Sequence, residues 1–404
     1  MRVRSVHRQP TGSTLHRIAG AVLVALALAV ILVFASGSGS GTVSGRLGGD
    51  YPEFYAAGKL VDHGHADRLY DLDAQTAAQA PYIGHDGGVL AFGYPPHVAW
   101  VYGLLARLPY RLSWLVHTAL MALAAAASIV LLQPFLQRLR GFTLPLIALA
   151  LTFLPLAVGS MLGQNTALTM VILCAAARLF HERRELSAGL VLGLLLYKPQ
   201  LAAPLLLLLF AALSWRAVVG VATTAVATWC ANAVLFGTDW VGVWLHGLSS
   251  FGEADAASNS HNAINLVGVA EASLGHTTIV VVVASFAAAA IAWIAWQRRS
   301  ADMARALASA VPASLLLAPH VLYYDAGLLA ITGLVLLDRA PSWRPAVLGA
   351  WVFGLAHLLA PALGWDPLVL LVIAALVAAI RMPAPRTIED IDAGGPTPVL
   401  APSR

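Results

Sequence analysis

Charge is what this chain has least of. Asp, Glu, Lys and Arg together make up 11% of its 404 residues, where an ordinary soluble domain carries roughly a quarter. Hydrophobic residues reach 59% and the mean hydropathy is +0.76. A surface so poor in charge cannot face water over most of its area, which excludes a soluble globular domain. Cysteine is nearly absent as well. Cys174 and Cys230 both fall inside apolar runs, so a disulfide framework is excluded and zinc-ligand spacing is missing. The sequence also lacks a P-loop, a dinucleotide fingerprint and a zinc finger. The net charge of +4 is small and sits in short clusters, a mark of membrane topology rather than of nucleic-acid binding. The expected surroundings are membrane lipids, with no nucleic-acid partner. The fold class that remains is all-α, a polytopic bundle of transmembrane helices.

Apolar runs are what the chain has in plenty. Residues 1–17 carry Arg2, Arg4, Arg8 and Arg17 ahead of the run 18–36, which is long enough to cross a hydrocarbon core of ~30 Å. The run exceeds a signal-peptide core, and the serine and glycine stretch 36–45 lacks a clear Ala-x-Ala site, so it reads as a retained anchor. Positive-inside topology then places residues 1–17 in the cytoplasm and residues 37–91 outside. Further runs lie at about 112–134, 142–160, 165–181, 186–197, 199–214, 217–236, 277–297, 303–319, 321–338, 345–361 and 366–381. Counted as spans, they let Arg138/Arg140, Arg183/Arg184, Arg216, Arg298/Arg299, Arg339/Arg344 and Arg381 all face the cytoplasm. Residues 94–107 are apolar but short: either re-entrant or interfacial, or a span that breaks the charge rule at Arg138/Arg140. The expectation is a membrane domain over 18–381 with twelve or thirteen spans and external loops at 37–91 and 237–276. The tail 382–404, rich in Pro, Gly and Asp, is expected to be a disordered cytoplasmic segment.

With residues 94–107 not counted as a span, the scarce polar residues gather on the non-cytoplasmic side. They form five groups: the loop opened by Asp50, Gly163-Gln164-Asn165, Lys198-Pro199-Gln200, the loop 237–276, and Pro319-His320 with Tyr323-Tyr324-Asp325. Polar side chains at membrane depth are costly and persist mainly where they face a cavity. One outward-facing site is therefore expected, with the Lys198-Pro199 break inside the membrane.

Each candidate has a structural reading beside the functional one. Asp50 stays ionised in water yet lies close enough to the membrane to meet a lipid-borne substrate; it also stands where it would cap a helix starting near Pro52. Glu53 is a rival carboxylate one turn on, read first as a first-turn residue favoured by the helix dipole. Lys198 has no acidic neighbour in the sequence, so it either snorkels to an interface or holds a phosphate. Gln164 and Asn165 sit between two apolar runs, where an ordinary turn would also place them. His320, with Tyr323, Tyr324 and Asp325, suits either a phosphate or sugar site or an interfacial belt. The loop 237–276 offers Trp240, Trp244, His246, Glu253, Asp255, Asn259, His261, Asn262 and Asn265. No metal motif is visible.

The motifs Asp50-Tyr51, Tyr55-Ala56-Ala57-Gly58, Leu69-Tyr70-Asp71, Tyr94-Pro95-Pro96, Gly163-Gln164, Lys198-Pro199 and Pro319-His320 with Tyr324-Asp325 occur in an order that resembles glycosyltransferase family 87. Each motif is short; their order, running from about residue 45 to 340, is what carries the likeness. The resemblance implies a polyprenyl-phosphate-sugar-dependent transferase of the GT-C type in the inner (cytoplasmic) membrane, inverting, with its site on the outer side. It implies a polyprenyl-phosphate sugar as donor, with mannose the commonest in the family, and a lipid-linked or glycan acceptor. It implies Asp50 as general base. Lys198 and His320 would hold the donor phosphate. Tyr51, Tyr55, Tyr94, Gln164, Asn165, His261, Asn262, Tyr324 and Asp325 would bind sugar or acceptor. No cofactor is implied, with a divalent cation left open. The rival reading is a transporter or flippase of lipid-linked substrates, which also needs interrupted helices and intramembrane polar residues.

Overall fold

The computed structural model describes residues 12–36, 46–83, 89–210, 214–248, 260–268 and 302–382. The apolar run 277–297, the loop residues Glu253, Asp255 and Asn259, residues 1–11 and the tail beyond 382 lie outside the described residues. Among those described the chain is helical, with one isolated β-bridge, Ala263 to Leu322. It is an all-α polytopic membrane protein.

Proline and polar residues cut the apolar runs into shorter pieces than a count of runs suggests. Four helices among the described residues are long and apolar enough to cross a membrane: Gly12–Ser36, Tyr110–Phe135, Trp215–Phe236 and Pro341–Leu363. We label Gly12–Ser36 α1, and the next three helices α2 (Tyr51–Asp62), α3 (Leu72–Ile83) and α4 (Pro96–Ala106). Helix α5 is Tyr110–Leu132, and α6 (Thr143–Leu151) and α7 (Leu154–Met161) form one apolar segment bent by 69°. The bend falls where Pro155 enters the first turn of α7, since proline cannot continue the preceding ladder of hydrogen bonds. Then come α8 (Thr166–His181), α9 (Glu185–Gly193) with a 3₁₀ turn Leu194–Tyr197, α10 (Pro199–Phe210) and α11 (Trp215–Phe236). The last elements are α12 (Met303–Leu317), a 3₁₀ turn Tyr323–Leu328, α13 (Leu329–Arg339), α14 (Arg344–Phe353) and α15 (Leu368–Arg381). Helix α4 covers the segment that sequence left undecided. Its 11 residues rise about 16 Å, half a hydrocarbon core, so it does not cross alone.

The helices run up and down between two chemically different ends. At one end lie the Gln133–Arg140 turn and the far end of α13, joined by Asp338, whose buried carboxylate accepts the backbone N–H groups of Gln137, Arg138 and Leu139 at 3.0, 2.6 and 2.9 Å. Arg339 pairs there with Asp302, the N-cap of α12, at 2.8 Å. Arg138, Arg140, Arg339 and Arg344 thus share an end, as the charge pattern predicts. At the other end the chain breaks that carry Asp50, Gln164, Lys198 and His320 come together.

Candidate functional site

A cavity of about 380 Å³ opens at this second end, and all five polar groups contribute to its wall. Asp50, Glu53 and Tyr94 come from the first group and Gln164 from the second; Lys198 and Gln200 form the third. Trp244 and Leu248 come from the long loop, and His320, Leu322 and Tyr324 from the last.

Asp50 sits at the N-cap of α2 but makes no side-chain cap bond. Its carboxylate turns to the cavity, where the Gln164 amide donates to Oδ2 at 2.8 Å. The Tyr94 hydroxyl lies 3.4 Å from the Gln164 carbonyl, so the amide is held at both ends. Backbone geometry makes the meeting possible. The Asp50 N–H donates to the Leu162 carbonyl at 2.9 Å. Gly163 adopts φ +89, where a Cβ would stand 2.7 Å from the Tyr51 backbone. Only glycine combines that φ with that approach, which gives the Gly163-Gln164 motif its physical reason.

The structure departs from the snorkelling reading of Lys198. This lysine neither snorkels nor stands alone: it is 4% exposed, and its ammonium meets Asp325 Oδ1 at 2.6 Å, a partner 127 residues away. Lys198 precedes Pro199, which excludes it from helical geometry, and the 3₁₀ turn before it ends at this residue. The side chain therefore leaves the break between α9 and α10 and enters the cavity wall. An ammonium has three donors; Nζ also lies over the Tyr324 ring, 5.5 Å from its centroid. Asp325 is 1% exposed and forms no part of the wall. In the structure it stands behind Lys198 as its counter-ion.

The loop that carries His320 is fastened by a second segment. Asn265 donates through Nδ2 to the carbonyls of Ala318 and Pro319 at 2.6 and 2.9 Å, and Ile264 N–H donates to Val321 at 3.1 Å. His261 and Asn262 lie in the 3₁₀ turn just before this pairing and are half-buried; neither lines the cavity.

Three further residues expected at the site lie elsewhere. Tyr51 is fully buried with its hydroxyl 2.5 Å from Ser113, and the Tyr55 hydroxyl donates to the Leu108 carbonyl at 2.8 Å. Both belong to an aromatic cluster with Tyr82, Tyr102, Tyr110 and His117. Helix phase is the reason: residues 50 and 53 share one face, 51 and 55 another. Burial pushes the Tyr55 hydroxyl up to about 12, so it stays a neutral donor. Asn165 is 4% exposed and accepts from the Tyr102 hydroxyl at 2.8 Å, behind the wall.

Sequence reasoning undervalued two residues that do line the cavity. Glu53 brings a second carboxylate, as its spacing from Asp50 signalled. Trp244 forms an aromatic wall, fixed by its indole N–H donating to the Gly93 carbonyl at 3.1 Å. Among the described residues no group of three or more His, Cys, Asp or Glu side chains is placed to hold a metal ion.

A sequence model of glycosyltransferase family 87 matches residues 92–319, more than half of the chain. The match contains Tyr94, Gln164, Lys198 and Trp244; Asp50 precedes it, and His320 is the first residue beyond it. No curated protein and no solved structure matches the chain.

Proposed function

Since the chain belongs to glycosyltransferase family 87, and is thereby a membrane glycosyltransferase, we propose that it transfers a sugar, with mannose the first candidate, from a polyprenyl-phosphate donor to a lipid-linked or glycan acceptor. Asp50 is the general base, the configuration at the sugar carbon inverts, and the cavity faces the non-cytoplasmic side. One observation carries this reading. A carboxylate oriented at 2.8 Å by an amide and a buried ammonium stand on the wall of one cavity of about 380 Å³.

The chemistry follows from these groups. An acceptor hydroxyl is a weak nucleophile at neutral pH. As its oxygen bonds to the anomeric carbon, its proton passes to Asp50. The bond from that carbon to the phosphate oxygen breaks, and the electron pair leaves with the phosphate. A phosphate is already a stable anion, so the paired general acid of glycoside hydrolysis is not needed. The reaction does need positive charge near the departing group. Lys198 supplies it: Asp325 takes one of its three donors, and the others are free to bind oxygen. His320 lies on the same wall as a second donor. Gln164 holds the base in place, while Tyr94, Tyr324 and Trp244 orient sugar and acceptor. The basic end of the bundle, placed in the cytoplasm by the positive-inside rule, puts the cavity outside.

The test is transfer of labelled sugar from synthetic polyprenyl-phosphate mannose and polyprenyl-phosphate arabinose. The full-length protein is assayed in lipid with a membrane-extract acceptor, beside Asp50→Asn. Wild-type transfer that falls by about 10²–10⁴ in the variant supports the reaction and the base together. Undiminished transfer by Asp50→Asn removes the base assignment. No transfer from either donor removes the polyprenyl-phosphate reading and turns attention to translocation in sealed vesicles.

A further inference from the structure

The bundle has a second large hollow, at the end away from the cavity. It is a groove of about 520 Å³ between α13, α14 and α15, almost wholly apolar, with Trp343 and Arg381 among its lining residues. Gly333 forms part of its floor. A Cβ there would stand 2.4 Å from the Trp351 ring, so glycine is what leaves room for that ring against α13. Ala346, Ala350, Ala375 and Ala378 make the walls shallow and smooth. From Leu371 to Arg381 the groove follows α15 for ten residues, a rise of about 15 Å. That is half of a ~30 Å hydrocarbon core, the depth of one leaflet.

The charge at its mouth sets what fits. Arg381 is exposed and has no hydrogen bond or ion pair among the described residues. Arg344 opens α14 next to Trp343 and uses only Nε, on the Leu337 carbonyl at 3.0 Å. Its two terminal nitrogens are open. Arg339, one turn away at the end of α13, is by contrast neutralised by Asp302 at 2.8 and 3.2 Å. Two guanidiniums without carboxylates, beside an apolar slot one leaflet deep, complement an anionic headgroup joined to an alkyl chain. Basic pockets between membrane helices recognise acidic lipids in this way, and a guanidinium matches phosphate oxygens two at a time.

We propose that this groove holds one acyl chain of an anionic phospholipid, with the lipid phosphate bound by Arg381 and Arg344. The glycosyl donor does not supply this headgroup, because its phosphate is required at Lys198, on the wall of the other cavity. The bound lipid is therefore a structural ligand of the opposite leaflet, wedged where α14 and α15 leave a gap.

Native mass spectrometry of the full-length protein after detergent washing tests this, with dioleoyl phosphatidylglycerol and dioleoyl phosphatidylcholine as probes. The expected result is one retained lipid, phosphatidylglycerol preferred by about tenfold or more. Arg344→Gln with Arg381→Gln should remove that preference, and Ala375→Phe, which fills the slot, should remove retention of both lipids. Equal retention of the two lipids by wild type overturns the proposal, as does an unchanged preference in the double arginine variant. A chain ending at residue 382 is the third arm. If phosphatidylglycerol binds only after that truncation, the chain's own tail fills the groove and the lipid assignment falls. Should Ala375→Phe fail to fold, the double arginine variant, with Arg381→Gln alone beside it, decides.

Discussion

Asp325 and Asp338 lie near opposite ends of one helical stretch, Tyr323–Arg339, and each is 1% exposed. Their partners differ. Asp325 faces the Lys198 ammonium at 2.6 Å, and that lysine forms part of the cavity wall. Asp338 accepts the backbone N–H groups of Gln137, Arg138 and Leu139, with Arg339 Nε farther off at 4.0 Å, and is not part of that cavity's wall. Backbone donors cannot leave or turn toward a ligand, so Asp338 is a clamp on a turn. An ammonium with spare donors can turn. The difference teaches that a buried carboxylate is understood through what its partner is able to reach.

The sharpest way to break this comparison is to remove Lys198. Lys198→Met leaves Asp325 buried and uncompensated, at a cost of about 3–5 kcal/mol, and should abolish transfer. Lys198→Met with Asp325→Leu replaces the pair by apolar groups, which is often neutral for stability. Thermal melting should then recover while transfer does not. Recovery of both would reduce the pair to a structural element like Asp338.

Next in size is Gln164→Ala. The variant removes the amide that donates to Asp50 Oδ2 at 2.8 Å, and misplacement of a reacting group can lower the rate by about 10²-fold. The loss should appear in kcat rather than in the melting temperature. A variant that melts early with an unchanged rate per folded molecule would make the amide a packing group only.

Asp338→Ala gives the opposite pattern. Three backbone donors lose their acceptor, each buried group costing about 1–3 kcal/mol at most when nothing replaces it. Stability should fall while transfer per folded molecule holds. A selective loss of rate would show that the clamp reaches the cavity through α13.

These pairs also mark what sequence could and could not carry. A polar residue inside an apolar run stands out, so Gln164, Lys198 and His320 were legible, as were the breaks at Gly163 and Pro199 that let them turn inward. Pairing across 127 residues was not: nothing near Lys198 names Asp325. The neighbouring tyrosines show a different failure. Motif membership points Tyr51 and Tyr55 at the site, whereas helical spacing puts Asp50 and Glu53 on one face and the tyrosines on another. A first-turn glutamate is common, so Glu53 carries little weight alone; its spacing puts it on the face of Asp50, and the structure shows that this face lines the cavity. The short helices followed from proline and polar breaks, yet the long apolar runs suggested more complete spans than the four long helices among the described residues.

The smallest effect expected is at the exposed pair Arg68–Asp71, which resembles Lys198–Asp325 in length alone. Arg68 Nη2 lies 2.8 Å from Asp71 Oδ2, but both side chains are open to water, 52% and 39% exposed. Asp71 also accepts the N–H groups of Asp73 and Ala74 at 2.9 and 3.2 Å, at the start of α3. The Arg68 hydrogen bond comes first among the causes that hold the Asp71 carboxyl below the usual aspartate range. A carboxyl depressed in the folded state adds stability above its unfolded value of about 3.9, and that stability is lost as pH falls through the folded value. Asn caps a helix as well as Asp does, so Asp71→Asn removes the charge and keeps the cap. Wild type should melt slightly above the variant at pH 7 in low salt, and the gap should close both in 1 M salt and on acidification below pH ~3.9. A gap that survived both would have to come from cap geometry. The contrast with Lys198 would then rest on burial alone, since water already screens the surface pair.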